Sequence, residues 1–461
     1  MSIKNVRYRG FLRNSIINLI GGGLMTAYGL LLPFVLSRLI GKEIFSAYIL
    51  GVQTVPFLLL LMTPVQASLT PRHAMLAGTG VDSAEVQELL KASLLVFVLA
   101  ALLAISLVLL LVLILPFLLG WNASFTELAT RSIAVLGVST ALTFPMYSVT
   151  SLFSGNGNFI WENVAKCLGP YLMLLLSAIT LAVSCFYKRA VSLDIILLLN
   201  AAAIIAGAVF VGYRVTALLQ KGRRATFSGI GNRARGLVIH ASGVMWMQLC
   251  ALLTVGLSGF IVSKYSTEAV APLSMANALM VAIAGVSSAL SGPFSVKIAQ
   301  KSQDGGEVVR ELYIRFQRYF LIFLFMSSAV ILLMPLSILE IWVGKSLAAD
   351  IKVFIPPIVL AHLARQMTAP YTSALLGFGI QHRVWLSPFV EAVTCIVFSF
   401  VFASKFGGVG VPYGLLLASI IRLMMTIFYD FRITRKVIPL AAGDLIFPFV
   451  GWHAKERKGM Q

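Results

Sequence analysis

The stretch from Leu94 to Leu119 carries no Asp, Glu, Lys or Arg and is apolar on every face of a helix. A helix needs about 20 mainly apolar residues to cross the roughly 30 Å hydrocarbon layer of a bilayer, and runs of this kind fill most of the chain. A strand of a membrane barrel would instead alternate polar and apolar residues over segments of roughly ten, which this stretch does not do. Of the 461 residues 59% are hydrophobic and only 11% charged, against roughly 25% charged in a soluble domain. Too little polar surface is encoded to cover a water-soluble globule, so the sequence predicts an all-α integral membrane protein.

Polar breaks divide the apolar sequence into twelve expected spans, near 15–37, 45–69, 92–115, 132–153, 167–187 and 193–212, then 238–262, 269–294, 319–339, 355–376, 386–402 and 411–428. The apolar stretch after Arg13 is longer than a signal-peptide core and has no convincing small-residue cleavage site, so it reads as a retained first span. Of the 36 Lys and Arg, 25 fall on the side of the N-terminus, nine on the opposite side, and two, Arg365 and Arg422, within spans. That bias is the positive-inside pattern and puts both termini in the cytoplasm. The net charge of +19 is scattered over loops that would face anionic headgroups, which excludes a nucleic-acid partner and makes membrane lipids the natural one.

The basic cluster Lys221, Arg223, Arg224, Arg233 and Arg235 divides the chain nearly in half. The expected organisation is an N-terminal lobe of spans 1 to 6 over 1–214, a basic cytoplasmic linker over 215–237, a C-terminal lobe of spans 7 to 12 over 238–430 and a basic cytoplasmic tail over 431–461. Ser37, Arg38 and Glu43 ahead of the second span are echoed by Ser263, Lys264 and Glu268 ahead of the eighth. Six spans per half give both halves one orientation, as parallel repeats about an axis along the membrane normal require, and such repeats commonly enclose a central cavity. The tail mixes Phe447, Phe449 and Trp452 with Lys455, Arg457 and Lys458; lying on the membrane surface and disorder both remain open for it.

Several chemistries are absent. Cys167, Cys185, Cys250 and Cys395 lie in or beside apolar runs with no short pairing interval, so neither a disulfide framework nor a zinc site is expected. Gly229, Gly231 and Ala234 fit a GxGxxA pattern but sit in a basic loop with no preceding strand. Gly21, Gly22 and Gly23 lie inside the first span, where they permit close packing or a bend. No P-loop, HExxH or paired-acid arrangement appears, and the exterior loops are too short for a catalytic domain. No catalytic residue, metal or cofactor is expected.

Ionisable groups at membrane depth are costly, about 2.5 to 3.5 kcal/mol for a central Arg on insertion scales, and they face a bundle interior or a watery cavity. Arg365 lies mid-way along the tenth span, with His362 and Gln366 on the same helical stripe. Glu391 and Arg422 fall at similar depth in the eleventh and twelfth spans, roughly 8 to 10 Å from the cytoplasmic end at 1.5 Å per residue, which makes them a candidate ion pair. Two readings stay open for this set. It is a structural polar contact between helices, or Arg365 and Arg422 receive an anionic substrate group, for which the planar guanidinium fork is suited, while Glu391 binds a coupling proton or cation. Arg13, Arg72 and Lys297 mark the cytoplasmic ends of the first, second and eighth spans. They are ordinary anchors or line one face of a two-lobed cavity.

The stretch LLLPFVLSRLIGKEIFSAY from Leu30 to Tyr48 and the stretch SLTPRHA from Ser68 to Ala74 resemble the polysaccharide flippases of the multidrug, oligosaccharidyl-lipid and polysaccharide exporter superfamily. The resemblance implies two six-helix lobes that alternate access around a cationic cavity in a bacterial inner membrane. It implies an undecaprenyl-diphosphate-linked oligosaccharide as substrate, for lipopolysaccharide O-antigen or another polysaccharide, with ion-gradient drive and polysaccharide-assembly proteins as candidate partners. A lateral opening between the lobes would leave the prenyl tail in lipid and shelter the sugar. Family cavities often draw arginines from the N-terminal lobe, whereas here the deep arginines lie in the tenth and twelfth spans. The alternatives are a cation-coupled multidrug exporter, a lipid II flippase and, from another class, a membrane-embedded polysaccharide polymerase or ligase.

Overall fold

A computed structural model describes residues 3–76, 83–155, 158–187, 191–220, 227–301, 306–378, 380–435, 437–438, 440 and 443–444. Among them only helices and turns occur. The first crossing is α1 (Ile3–Leu39), and the second is α2 (Lys42–Leu59) with α3 (Thr63–Leu76), bent by 44° at Leu60 to Met62. Then follow α4 (Ala84–Leu119), α5 (Ala123–Leu142) continued by α6 (Tyr147–Gly155), α7 (Phe159–Tyr187) and α8 (Leu193–Gln220), which complete six crossings.

In the second half, α9 (Phe227–Val255) with α10 (Ser258–Tyr265) makes the seventh crossing, α11 (Val270–Lys301) the eighth and α12 (Gly306–Leu332) the ninth. A short α13 (Leu336–Val343) precedes the tenth crossing, formed by α14 (Lys345–Gln366) and α15 (Ala369–Phe378). The eleventh and twelfth are α16 (Leu386–Phe406) and α17 (Gly410–Met425), the latter extended by α18 (Phe431–Thr434). The 49 residues Leu386–Thr434 form one apolar helical stretch, far too long for a single crossing at 1.5 Å per residue. It folds back on itself instead. The Ser399 hydroxyl donates to the Val411 carbonyl at 3.4 Å, and a Cβ at Gly414 would lie 2.4 Å from the Ser399 backbone nitrogen. The absence of a side chain there lets the two helices touch backbone to backbone. With this hairpin and the bent second crossing, the described helices make the twelve crossings expected.

The elements start and stop where local chemistry dictates. Ser83 caps α4 by accepting from the Val86 amide, Asn122 caps α5 by accepting from the Phe125 amide at 2.8 Å, and Gly120, at φ 66°, ends α4 in the left-handed conformation. Inside hydrocarbon every backbone group must be bonded within the chain, which a helix achieves alone. The outward faces carry Leu113, Phe117, Phe186 and Leu333, each at least 75% exposed, an apolar belt that only lipid can cover.

The two sets of six crossings form two lobes around one hollow. α8 and α9 reach into the expected 215–237 linker from both sides; Lys221, Arg223 and Arg224 lie outside the described residues, as does the tail beyond Asp444. Before that point the tail is tied to the C-terminal lobe. Arg310 grips Asp444 with two hydrogen bonds of 2.8 and 2.9 Å, and Ile438 and Leu440 are buried beside Tyr371 and Phe431.

Candidate functional site

On the side away from the N-terminus the lobes are joined by polar contacts. Lys42 on α2 reaches Asp350 on α14 at 2.8 Å and Glu268 at 3.3 Å. Arg38 donates to the carbonyls of Trp342, at 2.8 Å, and Ile341, with its guanidinium also over the Phe34 ring. The Trp342 indole donates back to the Leu30 carbonyl at 2.8 Å, and the Trp121 indole donates to Ser263 at 3.0 Å. These partners sit between 142 and 312 residues apart in sequence, and together they close the far end of the hollow.

Below this seal lies a hollow of about 570 Å³ between the lobes, within the roughly 300–1,000 Å³ range of small-molecule sites. Met25, Tyr28, Leu32 and Tyr48 from the N-terminal lobe face Leu252, Val255, Met275 and Val281 from the other. Its polar groups are neutral: Asn200 donates to the Tyr48 hydroxyl at 2.9 Å, Gln53 donates to Ser274 across the lobes at 2.6 Å, and Asn277 is buried. No Asp, Glu, Lys or Arg is among the described residues that line it. Among the described residues, none of the expected cations lines this hollow.

Glu391, 0% exposed, forms an ion pair with Arg422 Nη1 and another, at 3.4 Å, with Arg365 Nε. The expected pairing of Glu391 with Arg422 forms, and Arg365 joins it. The two arginines line a separate cavity of about 290 Å³ inside the C-terminal lobe, together with Gln366, Ser291 and Thr372 among others, and this cavity shares no lining residue with the hollow. Two guanidiniums on one carboxylate leave the cluster with a net positive charge. His362 is buried, neither ring nitrogen has a hydrogen-bond partner, and it does not line that cavity. Arg72 donates to the Gly236 carbonyl at 3.4 Å, Lys297 is exposed, and neither lines the hollow. The side chain of Arg13 lies outside the described residues.

Sequence reasoning missed a fourth feature. Toward the N-terminal side the hollow adjoins a polar cavity of about 530 Å³ lined by α1, α3, α6 and α7, and Met25 lines both spaces. Here Lys166 forms an i,i+4 ion pair with Glu162, which is 8% exposed, beside Asn163, Gln66, Thr63 and Thr70. The i,i+4 spacing of Glu162 and Lys166 at the start of a span was the available signal.

This arrangement has parallels among solved structures. An inward-facing multidrug resistance MATE family transporter of the MOP superfamily overlaps with a TM-score of 0.73 at 14% identity, covering 91% of this chain and 98% of that one. The lipid II flippase MurJ in an inward closed conformation gives 0.69 at 15% identity, covering 96% and 93%. The chain shares the fold of these two proteins. An outward-facing MATE transporter overlaps with a TM-score of 0.61 at 13% identity and coverage of 92% and 95%. No protein-family profile and no curated protein sequence matches. In this shared fold the hollow occupies the interface of the two lobes, and the polar cavity adjoins it at Met25.

Proposed function

We propose that the chain is a flippase that moves an undecaprenyl-diphosphate-linked oligosaccharide from the cytoplasmic to the periplasmic leaflet of a bacterial inner membrane by alternating access, driven by an ion gradient. The observation that carries this reading is the division of the path into an uncharged hollow sealed at its far end and a polar cavity at its near end. A polar headgroup cannot enter hydrocarbon unaided, and a path with one wet part and one dry part fits a molecule divided the same way. In this reading the Arg365–Glu391–Arg422 cluster supports the C-terminal lobe, since both guanidiniums already face Glu391.

The overlap with a MATE transporter favours a second reading, export of drugs. A cationic drug calls for a carboxylate facing the hollow, and the described lining has none, so that reading requires an uncharged compound. Deleting the gene discriminates. Lipid-linked oligosaccharide accumulating on the inner leaflet with unchanged drug tolerance supports the flippase, whereas unchanged lipid-linked pools with lowered tolerance support the exporter.

A further inference from the structure

The apolar character of the hollow bears on which part of a substrate it holds. Its walls are leucine, methionine, valine, alanine and tyrosine with a few neutral amides and hydroxyls. Moving a diphosphate there would strip its hydration with no cation to replace it, a penalty that exceeds what hydrogen bonds to amides return. A hydrocarbon chain has no hydration to lose there, and apolar wall that it shields from water is favourable at about 25 cal/mol per Å².

The adjoining cavity has the complementary chemistry. Lys166 carries three ammonium protons, of which Glu162 accepts one. Gln66, Thr63 and Thr70 surround it. The glycine run of α1 forms part of its wall, since Gly21 and Gly22 both line it. At Gly21 a Cβ would lie 2.2 Å from Asn163 Oδ1, so a bare backbone lets Asn163 pack against α1 and donate to the Ile17 carbonyl at 3.3 Å. At Gly22 nothing lies within 4 Å of a Cβ position, which leaves room at the junction where Met25 separates the two spaces.

We propose that the two spaces form one bipartite site in which the polar cavity, with Lys166, holds a phosphate-bearing headgroup while the hollow holds the first hydrocarbon units of the same molecule. This rests on the amphipathic-substrate reading above and reverses one of its expectations, that the prenyl tail stays in the bilayer. Glu162 keeps Lys166 placed when the site is empty, and a phosphate takes the two remaining ammonium protons.

The test uses the full chain in nanodiscs and a farnesyl diphosphate analogue bearing a photoreactive diazirine on its second isoprene unit, with crosslinks mapped by mass spectrometry. The proposal predicts saturable labelling of hollow residues such as Met25, Tyr28 and Met275, competed by unlabelled farnesyl diphosphate. Inorganic diphosphate and farnesol, which each fill one half, should compete far less well. Lys166→Ala should weaken competition by farnesyl diphosphate roughly tenfold or more, as loss of a charge-assisted contact does, and leave competition by farnesol unchanged. Saturable labelling of belt residues such as Leu113 or Phe117 would overturn the bipartite site and leave the flippase reading standing. Labelling that no prenyl compound competes would overturn both.

Discussion

Glu391 holds two arginines from two different helices, Arg422 on α17 and Arg365 on α14, at a position no solvent reaches. Removing one partner of a buried ionic group leaves the rest uncompensated, which costs about 3–5 kcal/mol. Glu391→Gln should therefore lower the unfolding temperature of the purified protein sharply, and combining it with Arg422→Met should recover part of the loss. A Glu391→Gln protein as stable as the parent would show that the cluster does not support the lobe.

The far-side seal should behave as a population switch. Lys42 is partly exposed, and exposed ion pairs contribute about 0.2–1 kcal/mol each, so Lys42→Met, which removes both of its pairs, should shift the balance of closed and open states by a factor of roughly two to thirty. A cysteine at Ser274, in a background with Cys185→Ser, reports this as faster labelling by a membrane-impermeant thiol reagent added on the far side. Equal labelling rates with and without Lys42 would mean that the seal is held by other contacts.

Gly414 sets a steric limit on how α16 meets α17. Because a Cβ there would meet the Ser399 backbone rather than a movable side chain, Gly414→Ala should separate α16 from α17 at a cost of about 1–3 kcal/mol, the range for overpacking. Thermal unfolding in detergent measures it, and Gly22→Ala, where the Cβ position is open, is the matched control expected to be nearly neutral.

Much of the fold was legible because membrane crossing is a matter of length and polarity. Runs such as 94–119 announced themselves, and Glu391 and Arg422 could be paired because depth along two neighbouring spans follows from counting residues. The hollow was not legible. Which face of a helix points inward is hidden where a span is apolar all round, as α4 is between Leu94 and Leu119, so the neutrality of the central walls could not be read from the charges at the span ends. Nor could the bond from Lys42 to Asp350, whose partners are 308 residues apart. Lys166 stands beside a span with nothing in the sequence beyond its spacing from Glu162 to mark it, because the other walls of its cavity come from α1 and α3.

The central claim is that an amphipathic lipid crosses through the hollow, and Gly29 offers the most direct test of it. Gly29 lines the hollow and has open space at its Cβ position, so Gly29→Trp fills the cavity without forcing the helices apart. Flipping of a fluorescent polyprenyl-diphosphate-linked sugar in proteoliposomes, read by access of an added glycosidase, should be rapid with the parent protein and abolished with Gly29→Trp, whose unfolding temperature should match the parent's. Parent-like flipping by a folded Gly29→Trp protein would contradict the account.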